Sequence, residues 1–300
     1  MLPLGMLHVL MRVWRLLSGR GAAGRTNVSG RDEYRVTPLH YAVFNDDLEE
    51  ARAVLDAGAD LEARNPQGLT PLMYAAAHSQ NPSVLRVLIG AGANLEARAE
   101  NGFTPMLTAA RQNQNLDVMR SLINAGANLE ARDKHGATPL MYAAALNQNL
   151  DVMRSLINAG ANLEARNAQG ATPLMAAAGF NESLEAVRVL IDAGADVNAR
   201  AEEVGTALMT AAGQNENPEM VQLLIDAGAD LEARAGSGGT ALMAAAERNA
   251  NPEVLQVLID AGADAQAISS TGLRAIDYAH ENEHLMGTNA YWRLNDASFD

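Results

Sequence analysis

Apolar residues in this chain come in short paired runs that return at a fixed interval. In "TPLMYAAA", at 70–77 and again at 138–145, a threonine and a proline precede a dense apolar stretch. Thr70 offers a side-chain oxygen to the free N–H groups at a helix start. Pro71 stands at the first helical position, where a missing N–H costs nothing. The pattern predicts a slim helix whose alanines let neighbours approach closely. A polar turn follows, then a second start signal. "NPE" at 217–219 and 251–253 puts Asn at the cap, Pro next, and Glu near the positive helix end. The second helix takes the larger apolar residues, in one copy Val84, Leu85, Val87, Leu88 and Ile89. Gly92 falls just past it, where a left-handed residue closes a helix. "ANLEAR" then runs extended into a Gly-containing turn before the next threonine.

The interval is strict. The tripeptide "AGA" begins at 57, 91, 125, 159, 193, 227 and 261, each step being 34. The block "NQNLDVMRSLINAGANLEAR" at 113–132 recurs letter for letter at 147–166. A fixed period of this size means stacked supersecondary units. Helices of about eight residues do not hold alone, because nucleation is too costly for so few hydrogen bonds. Each unit must be held by its neighbours, which predicts an all-α repeat solenoid: a rod with one long surface.

A period of 34 is also the tetratricopeptide period. Tetratricopeptide units, however, are two long helices joined by tight turns. Here about a dozen residues between the second helix and the next threonine look extended, with glycine at both ends. At Thr37-Pro38-Leu39-His40, Thr70-Pro71-Leu72, Thr104-Pro105, Thr138-Pro139-Leu140 and Thr172-Pro173-Leu174 the chain resembles the ankyrin-repeat family. Thr206-Ala207-Leu208, Thr240-Ala241-Leu242 and the "GAD" or "GAN" after each second helix extend the resemblance. It implies an ankyrin-repeat stack of helix-turn-helix units with hairpin-like connecting loops. The array is expected over 32–300, with repeats near 32–64, 65–98, 99–132, 133–166, 167–200, 201–234 and 235–268 and a C-terminal capping repeat at 269–300. Residues 1–31 form a separate apolar and basic segment with a Gly-rich linker.

Departures from the family pattern carry expectations of their own. The histidine after T-P-L survives only as His40, and apolar packing should replace its hydrogen bonds elsewhere. Thr37 to Ala57 is 20 residues, against 21 from Thr70 to Ala91, so the first inter-helix turn is shorter. Arg35 and Val204 stand where a tip glycine is expected, so those two turns should differ in shape. In the last unit an altered second helix should close the core with Tyr291, Trp292 and Leu294.

Composition narrows the chemistry. Apolar residues make up 48% but aromatics only 4%, so the core must be Ala, Leu, Val, Ile and Met. A net charge of −14 argues against non-specific nucleic-acid binding. The absence of cysteine removes disulfides, Cys-ligated zinc and thiol catalysis. The N-terminus differs: "MLPLGMLHVLMRVWRLL" begins apolar and then carries Arg12 and Arg15, with Arg20 just beyond. It is shorter than the roughly 20 apolar residues of a membrane span. Its positive charge follows the apolar run, whereas a secretory signal puts it first. As a helix it would align His8, Arg12 and Arg15 opposite Leu and Val. Such a helix could lie on an acidic membrane surface, shield the open end of the rod, or serve as a leader.

Two motifs suggest other chemistry. "HENEH", His280 to His284, fits H-E-x-x-H, which on one helix gives two zinc ligands and a general base. Laid on the preceding unit, these residues fall on "AERNA", the end of a first helix and the turn after it. Only Asp296 and Asp300 follow as candidate third ligands. A zinc hydrolase using His280, Glu281 and His284 is therefore the rival to a polar edge of the C-terminal cap. "GRGAAG", Gly19 to Gly24, fits G-x-G-x-x-G but has no strand before it and reads as linker. The sequons at Asn27 and Asn181 matter only in a secretory pathway. No nucleophile–base constellation and no cofactor motif is evident.

The resemblance implies that partners meet the hairpin tips and the exposed side of the first helices, on a concave face. By register the tips include Gln67, Leu69, Asn101, Phe103, Lys134, His135, Glu202 and Glu203. The first-helix ends include His78, Arg111, Leu146, Phe180, Glu247 and Arg248. Phe44, Phe103 and Phe180 are expected there as exposed anchors. The plainer alternative packs Phe44 and Phe180 under the inter-helix turn. Arg64, Arg98, Arg132, Arg166, Arg200 and Arg234 form a further row, with Glu62, Glu96, Glu130, Glu164 and Glu232 two residues before most of them. The row is either a docking stripe for an acidic partner or a set of charges pairing across neighbours. The expected function is a non-enzymatic, monomeric, cytoplasmic scaffold for a protein partner. The alternatives are membrane attachment through residues 1–17, or export.

Overall fold

The computed structural model describes residues 36–299. The amphipathic segment, "GRGAAG", the Asn27 sequon, Arg35 and Asp300 lie outside the described residues. Among those described there are sixteen helices in eight antiparallel pairs. The first helices are α1 Pro38–Phe44, α3 Pro71–His78, α5 Pro105–Gln112, α7 Pro139–Leu146, α9 Pro173–Phe180, α11 Ala207–Gln214, α13 Ala241–Arg248 and α15 Ala275–Ala279. The second helices are α2 Leu48–Asp56, α4 Pro82–Gly90, α6 Leu116–Asn124, α8 Leu150–Asn158, α10 Leu184–Asp192, α12 Pro218–Asp226, α14 Pro252–Asp260 and α16 Asn289–Phe299. First helices stack on first helices and second on second, so look-alike segments lie side by side.

Each boundary follows its local chemistry. Thr70 Oγ1 accepts from the Met73 N–H, and Thr37, Thr104, Thr138, Thr172, Thr206 and Thr240 cap in the same way. Asn81, Asn115, Asn149, Asn217 and Asn251 cap second helices through the N–H two residues on. Asp47 caps α2, while Ser183 makes no side-chain cap bond. Gly92 closes α4 at φ 93°, a region L side chains avoid. One continuous core of Ala, Leu, Val, Ile and Met runs from Leu39 to Leu294. In the family's histidine register, His40 Nε2 bonds the Leu69 carbonyl at 3.1 Å and Nδ1 bonds Thr37 Oγ1 at 2.8 Å. Met73, Leu107, Met141, Met175, Met209 and Met243 are buried in that register instead, as the apolar replacement predicts.

Three rows of hydrogen bonds join the repeats, and two of them differ from expectation. The arginine row does not pair with the glutamate row. Arg98 Nη1 donates to the Gly102 carbonyl at 3.2 Å and to the Arg132 carbonyl, one repeat on, at 2.6 Å. Arg64, Arg166 and Arg234 repeat this arrangement. The glutamates serve another join: Glu62 accepts from the Asn94 N–H, Glu96 from Asn128 and Glu130 from Asn162, each at 2.8 Å. Both rows therefore spend their polar atoms on backbone groups of the adjoining repeat.

The third row is buried. Asn147 Nδ2 donates to the Ala110 and Asn113 carbonyls at 2.9 and 3.0 Å, and its Oδ1 accepts from the Asn149 N–H. Asn113, Asn215 and Asn249 do the same, and Asn181 reaches Ala144. Ala110 lies in the last turn of α5, where a helix leaves carbonyls without intrahelical partners. Each asparagine therefore caps the helix of the repeat before it. In the first unit the C-cap of the first helix is the exposed Asn45, and in the second it is Ser79; Asp46, at φ 52°, accepts from the Ser79 hydroxyl and the Gln80 N–H.

The ends bear on the motifs. At the Val204 tip the positive φ moves to Gly205, and Ala201 and Gly205 form an isolated antiparallel bridge. In the last unit Tyr291 and Leu294 are buried in α16, but Trp292 is 56% exposed. It lies edge-on against the Tyr291 ring rather than in the core, because adjacent residues on a helix point about 100° apart.

Candidate protein-binding face

The first-helix ends and the hairpin tips share one side of the stack. The first helices of the second to seventh repeats are each eight residues long, and every described tip is closed by a short backbone pair, such as Ala99 N–H to the Phe103 carbonyl at 2.9 Å. Tips are joined to one another as well: the Lys134 N–H donates to the Asn101 carbonyl, and the Ala168 N–H to the His135 carbonyl. At Gly102 a side chain would meet the Lys134 backbone nitrogen at 2.9 Å, so this close approach needs glycine. The face is thus a hydrogen-bonded lattice on which side chains stand at regular stations.

Near the N-terminal end the stations are aromatic. Phe44, half-buried, tilts against Tyr74 with ring centroids 5.9 Å apart, and Tyr74 meets the exposed His78 ring at 4.8 Å. Burial pushes the Tyr74 phenol up to about 12 and lowers the His78 imidazole. Phe103 departs from its expected exposure: it is only 6% exposed. With Met73 and Leu107 in place of histidine, an apolar slot opens under the tip. Phe103 fills it together with Ala97, Ala99 and Ala131, and Leu69 packs half-buried beside them. Its ring meets Tyr142 edge-on at 5.0 Å, and the Arg111 guanidinium lies over both rings at 5.6 and 5.9 Å. Tyr142 donates to Asp133 Oδ2 at 2.8 Å. Burial, then that hydrogen bond and the Asp133 charge, hold its phenol well above the usual range.

Farther along, the surface changes. Leu146 and Phe180 are 49% and 61% exposed. They occupy the same position at the ends of α7 and α9, so they are neighbours on adjacent repeats. The other large exposed apolar residues among those described, Ile268, Leu273, Met286, Trp292 and Phe299, lie at or beyond the last residue of the seventh repeat. Gly179 and Gly213, one position earlier in the helix register, are buried, and a side chain at Gly179 would meet Thr210 Cγ2 at 2.6 Å. Beyond Phe180 stand the exposed Glu202 and Glu203, and a recess of ≈ 210 Å³ lined by Glu203, Thr210, Gln214, Glu247, Arg248 and Tyr278. Glu247 and Arg248 form an exposed ion pair at 3.0 Å.

The predicted face residues differ in exposure. His78, Arg111, Lys134, His135, Leu146, Phe180, Glu202 and Arg248 are exposed, Leu69 is half-buried and Phe103 is structural. Sequence reasoning missed Tyr74, Tyr142 and Asp133. The signal was available, since Tyr74 and Tyr142 each stand four residues after a capping threonine, on the outward side of a first helix. The "HENEH" residues do not share a helix: α15 ends at Ala279 and His280 is its cap. The His280 ring rests against Tyr291, and the central Asn282 is the last rung of the buried row, donating to the Ala246 and Asn249 carbonyls. Among the described residues no group of three or more His, Asp or Glu is placed to hold a metal ion. Nor is any described helix long and apolar enough to cross a membrane.

Comparison with known proteins agrees with this geometry. The family model described as "Ankyrin repeats (3 copies)" matches residues 12–99, 72–167, 106–201, 144–235 and 208–287. The crystal structure of the human ASB11 ankyrin repeat domain is similar at a TM-score of 0.65 and 25% identity, over 75% of this chain and 98% of that one. No curated protein matches the sequence.

Proposed function

We propose, from the premise that this chain belongs to the ankyrin-repeat family, that it is a non-enzymatic scaffold holding a protein partner on the face of tips and first-helix ends. The family's fold typically serves protein interaction. The observation that supports this face is the Leu146–Phe180 pair: two large apolar side chains exposed in mid-rod, on adjacent repeats, above a lattice that is otherwise satisfied. Single exposed apolar residues are ordinary, but aromatic anchors on a rigid patch are where interface energy concentrates. A preformed face loses little conformational entropy on binding. The scaffold works as a cytoplasmic monomer and needs no cofactor. The zinc hydrolase reading loses its structural support, because Asn282 is committed to the repeat join and the helix required by the motif ends before it.

The test is affinity capture with the full chain as bait, comparing wild type with Leu146→Ala and Phe180→Ala. Both residues are exposed, so stability should hold while capture falls at least tenfold. Undiminished capture by both variants, with unchanged unfolding midpoints, would mean that the face is misassigned. Phe103→Ala is unsuitable here, since it would empty a buried slot.

A further inference from the structure

Arg248 pairs with Glu247, but Arg111 and Lys134 have no carboxylate partner among the described residues. The Arg111 guanidinium lies over the Phe103 and Tyr142 rings at 5.6 and 5.9 Å. Tyr142 in turn donates to Asp133 Oδ2 at 2.8 Å, and Lys134 is the next residue. One aromatic platform thus brings the two cations into the same locality, and both are exposed. We infer that Arg111 and Lys134 act with the Leu146–Phe180 pair to select one kind of occupant: an extended protein segment that carries carboxylates followed by apolar side chains. The inference rests on the reading of this face as the binding face.

Charge carries the first half of the argument. Arginines elsewhere are committed: Arg98 and Arg132 to carbonyls of the next repeat, Arg154 and Arg293 to carboxylates. Arg111 is held by ring faces, which attract its charge without using its N–H donors, so a planar fork stays open for a carboxylate. The carboxylate inside the platform is already spent. Asp133 is 7% exposed and accepts from the Tyr142 hydroxyl and from the His135 and Ala137 N–H groups. The chain as a whole carries a net charge of −14. Its surface therefore repels an acidic segment in most places, and the two unpaired cations fix where such a segment can settle.

Spacing carries the second half. Arg111, Leu146 and Phe180 stand in the last turns of α5, α7 and α9, the first helices of three successive repeats. Stacked helices lie about 8–10 Å apart, so the apolar stations are roughly 10 and 20 Å from the cation. An extended chain rises about 3.3 Å per residue, which puts an acidic residue about three positions from one apolar side chain and about six from the next. Inorganic phosphate or a nucleic acid would engage the cations and leave Leu146 and Phe180 uncovered; a polypeptide engages all four.

The probe is a fluorescein-labelled peptide with two glutamates followed by leucine and phenylalanine at that spacing, titrated with the full chain and read by anisotropy. Exchanging its glutamates for lysines should weaken binding at least tenfold. Arg111→Glu with Lys134→Glu should reverse that order, the lysine peptide then binding more tightly, with the circular dichroism spectrum unchanged. Lys134→Glu alone should shift binding the same way by less, which keeps the test open if Arg111→Glu unsettles the fold. Lys134 is the chain's only lysine, so the glutamate peptide should also slow its acylation by an N-hydroxysuccinimide ester several-fold, read by mass spectrometry. Glutamate and lysine peptides that bind alike, a double variant that keeps the wild-type order, or no saturable binding of the glutamate peptide up to about 1 mM would overturn the inference. Inorganic phosphate that displaces the labelled peptide as well as unlabelled peptide does would mean an anion site alone, and would overturn it too. If the charge order fails while Leu146→Ala and Phe180→Ala still abolish partner capture, the inference falls alone and the binding face stands. If the charge order holds but neither alanine variant weakens peptide binding or capture, the binding face falls and takes the inference with it.

Discussion

Removing one rung of the buried asparagine row tests the account of what holds the rod together. Asn147 is 2% exposed and makes three hydrogen bonds, two donated at 2.9 and 3.0 Å and one accepted at 2.9 Å. Each such bond contributes about 1 kcal/mol net, and the groups left behind are buried, so Asn147→Ala should cost about 3 kcal/mol. The loss falls on the junction between the third and fourth repeats, and in a stack held by nearest neighbours a weak junction lowers the stability of both sides. Asn147→Asp sharpens the test. It keeps the shape but sets a carboxylate against two carbonyl oxygens. In the folded state that carboxyl would be held above its usual range, so its penalty is present above about pH 4 and is relieved as the pH falls toward that value. The assay is urea unfolding followed by circular dichroism, with the exposed Gln148→Ala as a neighbouring control expected within about 0.5 kcal/mol of wild type. At neutral pH the order should be Gln148→Ala, then Asn147→Ala, then Asn147→Asp. An Asn147→Ala midpoint indistinguishable from Gln148→Ala would refute the rung as a structural join.

The other rows and stations make their own predictions. Arg98→Met should cost about 1 kcal/mol, nearly the same in low and high salt, because its acceptors are carbonyls rather than carboxylates; a loss that vanishes in salt would restore the ion-pair reading. Glu96→Gln keeps the oxygen that accepts from Asn128 and should be close to neutral in urea unfolding, whereas Glu96→Ala should not be. Alanine normally favours a helix over glycine by about 1 kcal/mol. Gly213→Ala, with its nearest neighbour at 3.5 Å, should therefore stabilise, whereas Gly179→Ala would sit 2.6 Å from Thr210 Cγ2 and should destabilise, with rescue by Thr210→Ala. The Tyr74 phenol should resist ionisation until about pH 12, and its share of stability, present below pH 10, should be lost as the pH rises through that value; ultraviolet titration of Tyr74→Phe against wild type would show this.

The periodic layer of this fold was legible because each signal is local. A capping threonine, a first-turn proline and a closing glycine act within four residues, and repetition multiplied the evidence. What was not legible depends on which repeat a side chain reaches. Arg98 and Glu96, two residues apart with opposite charge, read as members of rows that pair across neighbouring repeats, but one reaches a carbonyl 34 residues on and the other an N–H 32 residues on. Asn147 read as one more polar turn residue. Yet asparagine at 113, 147, 181, 215 and 249 keeps the same period as the threonine caps, and a solvated turn has no reason to keep one residue type in strict register. Phe103 and Trp292 exchanged the roles expected of them because Phe103 fills the apolar slot beside Met73 and Leu107, while α16 turns Tyr291 inward and leaves Trp292 outside. Periodicity therefore says where a residue stands, while exposure is decided by the neighbouring repeat. That division explains why Leu146 and Phe180 carry the functional argument. They are large apolar side chains exposed at the same station of adjacent repeats in mid-rod.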